Sequence, residues 1–164
     1  MRNEKQQLLV YGYGNPGRSD DGLGFAFCEA IERLGLTDIA VQTSYQINIE
    51  VAATLAENDI VLFVDASRND IESFRLAPLR PLPSLSFTTH AMSPQAVLAL
   101  CHELYTKKTS VFILEIKGFD WGSGESLSTA GSNNLRDAVT FMAPLLKEPT
   151  AKRLHDASTR CANP

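Results

Sequence analysis

Apolar positions along this chain alternate between short continuous runs and stretches of helical spacing. Residues 8–13 form an apolar and aromatic run that ends at glycines, the pattern of a buried strand, and residues 14–21 follow as a loop. From residue 22 to residue 34, Leu23, Phe27, Ala30, Ile31 and Leu34 recur at helical spacing, and Gly35 stops the helix. A second strand is predicted over 39–43. A helix is predicted over 48–57, with Ile49, Ala52, Ala53, Leu55 and Ala56 on its apolar face. Residues 60–64 are apolar without a break and end at Asp65, as expected of a central strand covered on both faces.

Residues 74–79 predict a short strand, demoted by the prolines on either side. Ser93-Pro94 reads as an N-cap with proline at the first helical position, opening a helix to about Tyr105. Residues 110–116 predict another buried strand, and 133–146 an amphipathic helix through Leu135, Val139, Met142 and Leu146. Residues 147–164 are polar without periodicity and are expected to form a loose tail after a single domain over 1–146. Strands alternating with helices predict a three-layer α/β/α fold with a mainly parallel twisted sheet.

Composition narrows the function classes. At 164 residues and 44% hydrophobic the chain is long enough and apolar enough for one buried core. A net charge of −4 without a basic run gives no electrostatic reason to expect nucleic acid or an anionic membrane as partner. The polar start lacks the layout of a signal peptide, and no apolar stretch is long enough to span a bilayer. Three widely spaced cysteines (Cys28, Cys101, Cys161) form neither a disulfide framework nor a zinc knuckle, and a reducing cytoplasm is the expected location. Cys28 and Cys101 fall on apolar helix faces and read as core. His102 lies off its helix's apolar stripe, and His155 lies in the tail.

In a parallel sheet, ligands bind at the carboxyl ends of strands, near the point where strand order reverses. Three polar features fall there: the loop from Gly14 to Gly22 with Asp20 and Asp21, then Asp65 behind its apolar run, and His90 ahead of the Ser93 helix. Two carboxylates and an imidazole make an incomplete O,N ligand set that suits zinc, manganese, iron or nickel. Each also has a plainer role open to it. Asp20 and Asp21 stand where acids cap a helix start, Asp65 where turns begin, and His90 in an ordinary loop. Gly12, Gly14 and Gly17 match the dinucleotide fingerprint, but two acids occupy the helix start that a pyrophosphate needs, and no acid follows the second strand. No GxSxG elbow is present, and neither helical cysteine has a histidine and an acid arranged beside it.

At these residues the sequence resembles the hydrogenase maturation protease family. Residues 11–24 (YGYGNPGRSDDGLG) are similar to its GxGN-loop-D-[DE]-G-x-G motif, and Tyr45-Gln46-Ile47-Asn48-Ile49-Glu50 to its Q-L-x-x-E-L segment, with Val51 in place of leucine. Val64-Asp65-Ala66 resembles its strand ending in Asp-Ala, and His90-Ala91-Met92-Ser93 its H-x-x-S helix start. Residues 120–128 (DWGSGESLS) look like its D-W-G-x-x-L-S segment. Lys117-Gly118-Phe119 departs from the family's usual Gly-[IV]-[EQ]-P stretch. The match runs from about Leu8 to Leu146.

The resemblance implies an endopeptidase that removes the C-terminal extension of a nickel-loaded NiFe-hydrogenase large-subunit precursor. It implies Asp21, Asp65 and His90 as the catalytic, metal-contacting triad, with nickel presented by the substrate, no resident organic cofactor, and Gln46 and Glu50 shaping the groove. Three alternatives stay open: a nucleotide-binding α/β protein using the glycine loop, a non-catalytic hydrogenase assembly factor of this fold, and a metallopeptidase with its own zinc.

Overall fold

The computed structural model describes residues 6–82 and 91–161. Three of the apolar runs become β1 (Leu8–Tyr13), β3 (Ile60–Ser67) and β5 (Ser110–Lys117), flanked by edge strands β2 (Ile39–Ser44) and β4 (Phe74–Pro78). The helices are α1 (Leu23–Arg33), α2 (Val51–Glu57), α3 (Pro94–Leu104), α4 (Thr129–Lys147) and α5 (Ala151–Cys161), and a 3-10 turn spans Ser19–Gly22.

The strands lie in the order β2-β1-β3-β5-β4, all parallel except β4, which runs antiparallel to β5. The chain moves outward from β1 to β2, then returns to the other side of β1 for β3. Strand order therefore reverses between β1 and β3, and a crevice opens at their carboxyl ends. The expected three-layer α/β/α fold is observed. Ile60, Leu62 and Val64 of β3 pack with Phe27, Ile31, Met142 and Leu146 of α1 and α4. Val61 and Phe63 point the other way, to Val51, Leu55, Val97 and Cys101 of α2 and α3. Both faces are dry, which is why β3 reads as continuous apolar sequence rather than as an alternation. The prolines around β4 fit its edge position, where the lost ladder bonds cost least.

Three boundaries differ from the sequence expectation by more than one residue. β3 continues through Asp65 to Ser67 because β5 goes on pairing with it. α2 starts at Val51 rather than at residue 48, since the Asn48 side chain accepts from Glu50 N (3.0 Å) and holds a turn there. α4 starts at Thr129, capped by Ser128 Oγ accepting from Gly131 N (2.9 Å). Its first turn carries no apolar signal.

The largest correction concerns the tail. Residues 151–161 form α5, which packs against β4 and buries Leu154 and Ala157 in the α1/α4 core, with Ala151 and Cys161 partly buried beside them. Its stripe of Ala151, Leu154, Ala157 and Cys161 has helical spacing but mostly small residues, so it carries little hydrophobic signal.

α1 approaches the sheet unusually closely. A Cβ on Gly24 would lie 2.6 Å from the Tyr13 carbonyl oxygen and 2.7 Å from that of Val64, and one on Gly12 would lie 2.4 Å from the Gly24 carbonyl oxygen. These neighbours are backbone atoms that cannot swing aside. Gly24→Ala is therefore expected to cost at least about 2 kcal/mol, as for an overpacked core, read as a lower urea midpoint with an unchanged slope.

Candidate active site

The loop after β1 is shaped by its glycines and by Asn15. Gly14 has φ 134°, and a Cβ there would sit 2.1 Å from the Asp21 carbonyl oxygen, so only glycine fits. Gly14 N donates to Ser44 O of β2 (3.2 Å). The Asn15 side chain accepts from Gly17 N (2.9 Å), while Asn15 N donates to Asp21 Oδ2 (3.0 Å). This brace aims the Asp21 carboxylate back over the end of β1. The glycines of the apparent dinucleotide fingerprint are thus absorbed by the protein itself: Gly12 by α1, Gly14 by the turn into Asp21.

Asp20 and Asp21 part company in the 3-10 turn, where each residue rotates by about a third of a circle. Asp20 is fully buried. It accepts from Phe119 N (2.7 Å), Asp120 N (3.0 Å), Ser128 N (2.8 Å) and Ser128 Oγ (2.6 Å). Burial alone would raise its carboxyl, but these bonds, the Ser128 hydroxyl foremost, outweigh burial and hold it below the ordinary aspartate value. Gly131 leaves room for it, since a Cβ there would come within 2.6 Å of Asp20 Oδ1. Asp20 therefore ties the loop 118–128 and the start of α4 to the first loop, and caps no N–H of its own helix. Much of the 120–128 segment is explained by this tie.

Asp65 sits where the sheet changes width. β1 pairs with β3 only as far as Gly12↔Val64, whereas β5 continues through Asp65↔Glu115. One flank of Asp65 is therefore strand and the other is the crevice. Alternation places it on the α2/α3 face with Phe63 and Tyr13. Burial raises the Asp65 carboxyl to about 6; the neighbouring Tyr13 hydroxyl and Ala66 N–H oppose that rise, and the charges of Asp21 and Glu115 add to it. The charge of Asp21, 44 positions away in sequence, thus reaches Asp65 across the switch point. Glu115 is otherwise engaged: it accepts from Arg75 Nε (2.7 Å) and Nη2, and from Asn69 Nδ2 (3.1 Å).

No family model matches the chain, and no curated protein matches it. Solved structures do. The NiFe hydrogenase maturation protease HycI from Thermococcus kodakarensis superposes with TM-score 0.67 at 23% identity, covering 88% of this chain and 95% of its own. The hydrogenase maturating endopeptidase HybD from E. coli gives 0.66 at 18%, covering 87% and 94%. A hydrogenase 2 maturation peptidase from a Thaumarchaeota archaeon gives 0.63 at 17%, covering 87% and 100%. The chain has the fold of the hydrogenase maturation proteases.

Of the three expected site residues, Asp21 follows β1 and Asp65 lies near the carboxyl end of β3, close enough for the Asp21 charge to add to the rise of the Asp65 carboxyl. The third, His90, lies outside the described residues. The chain just after it is held at the carboxyl edge, where Met92 N donates to Ile47 O (2.9 Å) and Ser93 Oγ caps α3 through Ala96 N (3.1 Å). Among the described residues, no three His, Cys, Asp or Glu side chains are grouped as for a metal ion. Gln46 and Glu50 are both exposed on the β2–α2 connection. Cys28 and Cys101 are buried, and His102 and His155 are exposed, as their positions predicted. Sequence reasoning missed Tyr13 and Glu115 beside Asp65. Glu115 left a trace, an acid inside an apolar strand run, whereas Tyr13 is indistinguishable by pattern from a core aromatic.

Proposed function

We propose that this protein is an endopeptidase that removes the C-terminal extension of a nickel-loaded hydrogenase large-subunit precursor, in the cytoplasm. In this reading Asp21, Asp65 and His90 engage the nickel carried by the substrate, with no resident organic cofactor. The observation that supports the proposal is the placement of Asp21 and Asp65 at the carboxyl ends of β1 and β3, beside the switch point, on a fold shared with hydrogenase maturation proteases. Asp20 is withdrawn into a structural tie, so one acid of the pair is left to face the crevice. Two carboxylates and an imidazole leave coordination positions on a shared metal open for a water or for the substrate's own groups. Docking on the nickel would fix the scissile bond beside the carboxylates, turning recognition of a finished metal centre into correct placement for hydrolysis. Water adds to the carbonyl carbon, the C–N bond breaks, and the departing amine takes a proton, which a carboxylate beside the bond is suited to relay. No described helix is long and apolar enough to cross a membrane, and neither nucleic acid nor membrane enters the reading.

The test pairs the protein with nickel-loaded and nickel-free precursor and reads the precursor's C-terminus by mass spectrometry. Loss of one defined peptide in the nickel-loaded tube alone is expected, and His90→Ala is expected to slow it at least about 100-fold. Intact precursor in every tube, or equal cutting without nickel, would refute the proposal.

A further inference from the structure

The loop after β5 seats a tryptophan at the carboxyl edge of the sheet. Gly118 makes room for it: a Cβ there would lie 2.9 Å from Trp121 Cζ2 and 3.0 Å from Cη2, so the indole rests on bare backbone. Gly118 is itself fixed, its N donating to Ser67 O at the end of β3 (3.0 Å). Two arginines from two other strand ends converge on this tryptophan. The Arg68 guanidinium, one residue beyond β3, lies over the indole with its Cζ 4.1 Å from the ring centroid. Arg18, from the loop after β1, donates from Nη2 to the Trp121 carbonyl oxygen (3.4 Å). The Arg18 main chain is bridged to Gly124, and its carbonyl accepts from Asp21 N (3.1 Å), so it belongs to the turn that carries Asp21.

Both arginines are exposed, and among the described residues neither makes an ion pair. Their neighbours are satisfied. Lys117 is paired with Asp70 (3.6 Å), and Asp120 Oδ1 accepts from Gly122 N (3.0 Å). A chain of net charge −4 thus leaves two guanidiniums open at this edge. A guanidinium stacked on a ring gives the ring its face and keeps its N–H donors in plane, aimed outward in the fork that fits a carboxylate. Phe119, two residues before Trp121, is 51% exposed. An aromatic beside the two charges suits a peptide, with apolar as well as acidic side chains, better than a free anion.

We infer that Arg68 and Arg18, set on Trp121, form a subsite for an acidic side chain of the precursor near its cleaved bond. The inference rests on the protease reading and deepens it by naming a feature of the substrate. Arg18 stands three residues before Asp21 and Arg68 three residues after Asp65. That reach corresponds to about four residues of extended substrate on either side of the cut.

Arg68→Met tests it, since methionine keeps an apolar stem against the indole and removes the charge. With nickel-loaded precursor, KM is expected to rise about 10-fold while kcat stays within about twofold, the mark of a contact made equally before and during reaction. Arg18→Met is expected to act in the same direction. The same assay is then run on nickel-loaded precursor whose Asp and Glu residues near the cut are changed to Asn and Gln. Wild type should lose as much on that substrate as Arg68→Met loses on the natural one, and Arg68→Met should lose nothing more. Unchanged KM in both arginine variants, with the wild type active, overturns the inference and leaves the protease reading standing. An equal penalty from Arg68→Met on both precursors also overturns it, by making Arg68 a support for the loop only. So does a cut precursor with no acidic residue near its cleaved bond. A wild-type protein inert towards nickel-loaded precursor overturns the protease reading and this inference together.

Discussion

Asp20→Ala is expected to lose about 3–5 kcal/mol of stability, a large share of the total for a domain of this size. The carboxylate is fully buried and accepts four hydrogen bonds, three of them from backbone N–H groups that belong to no other partner pattern. Bonds to a charged acceptor count for more than neutral ones, and the alanine leaves their donors stranded beside a cavity. Asp20→Asn keeps the shape but turns an amide towards N–H donors, so it is expected to fall between wild type and alanine. The pH dependence follows from the depressed carboxyl. Its stabilisation is complete above the ordinary aspartate value near 4 and is lost as pH falls through the lower folded value. Urea midpoints followed down to about pH 3 should therefore fall steeply in wild type and less steeply in Asp20→Asn. Equal stability of Asp20→Ala and wild type at pH 7 would show that the loop 118–128 is anchored in some other way.

Asp65→Asn is expected to have the opposite sign on stability while removing cleavage. The Asp65 carboxyl is raised to about 6, with burial the largest cause and the Asp21 and Glu115 charges adding to it. A raised carboxyl favours the folded state in its protonated form. That contribution is present below the ordinary value and is lost as pH rises through about 6. Above that, the protein carries a charge it would fold more tightly without. Asparagine has no charge to bury. At pH 8 the variant is expected to be about 2 kcal/mol more stable than wild type, or about 5 °C in Tm, and the two should converge below about pH 4. Cleavage of nickel-loaded precursor should drop at least about 100-fold in the same variant. A site residue whose removal stabilises the fold is held there for chemistry. Asp65→Asn melting below wild type at pH 8 would instead mark Asp65 as a structural residue like Asp20.

The different fates of Asp20 and Asp21 were not legible in the sequence. Both precede the same helix, and both satisfy the statistics of a capping residue. Rotation within the 3-10 turn sends one into the α4 anchor and the other to the crevice, and that rotation depends on Ser19 taking φ 49° and on its pairing to Gly124. Likewise, α5 carries its apolar stripe in alanines, a leucine and a cysteine, so only the open flank of β4 shows why it folds back. The dinucleotide pattern fails because the spacing of Gly12, Gly14 and Gly17 does not reveal whether a ligand or the protein's own helix makes the close approach.

The sequence by itself determined the order and type of the main elements, the burial of β1, β3 and β5, and the placement of Asp65 at the end of an apolar strand. Those properties are local, set by hydrophobic runs and periodicity within a dozen residues. It also carried, through several motifs in order, the resemblance to hydrogenase maturation proteases whose fold the chain shares. Only the tertiary structure decided the strand order 2-1-3-5-4 and the division of labour between Asp20 and Asp21. Each of those depends on which strand lies beside which and in what register, and such long-range pairing leaves no periodic trace in the residues that make it.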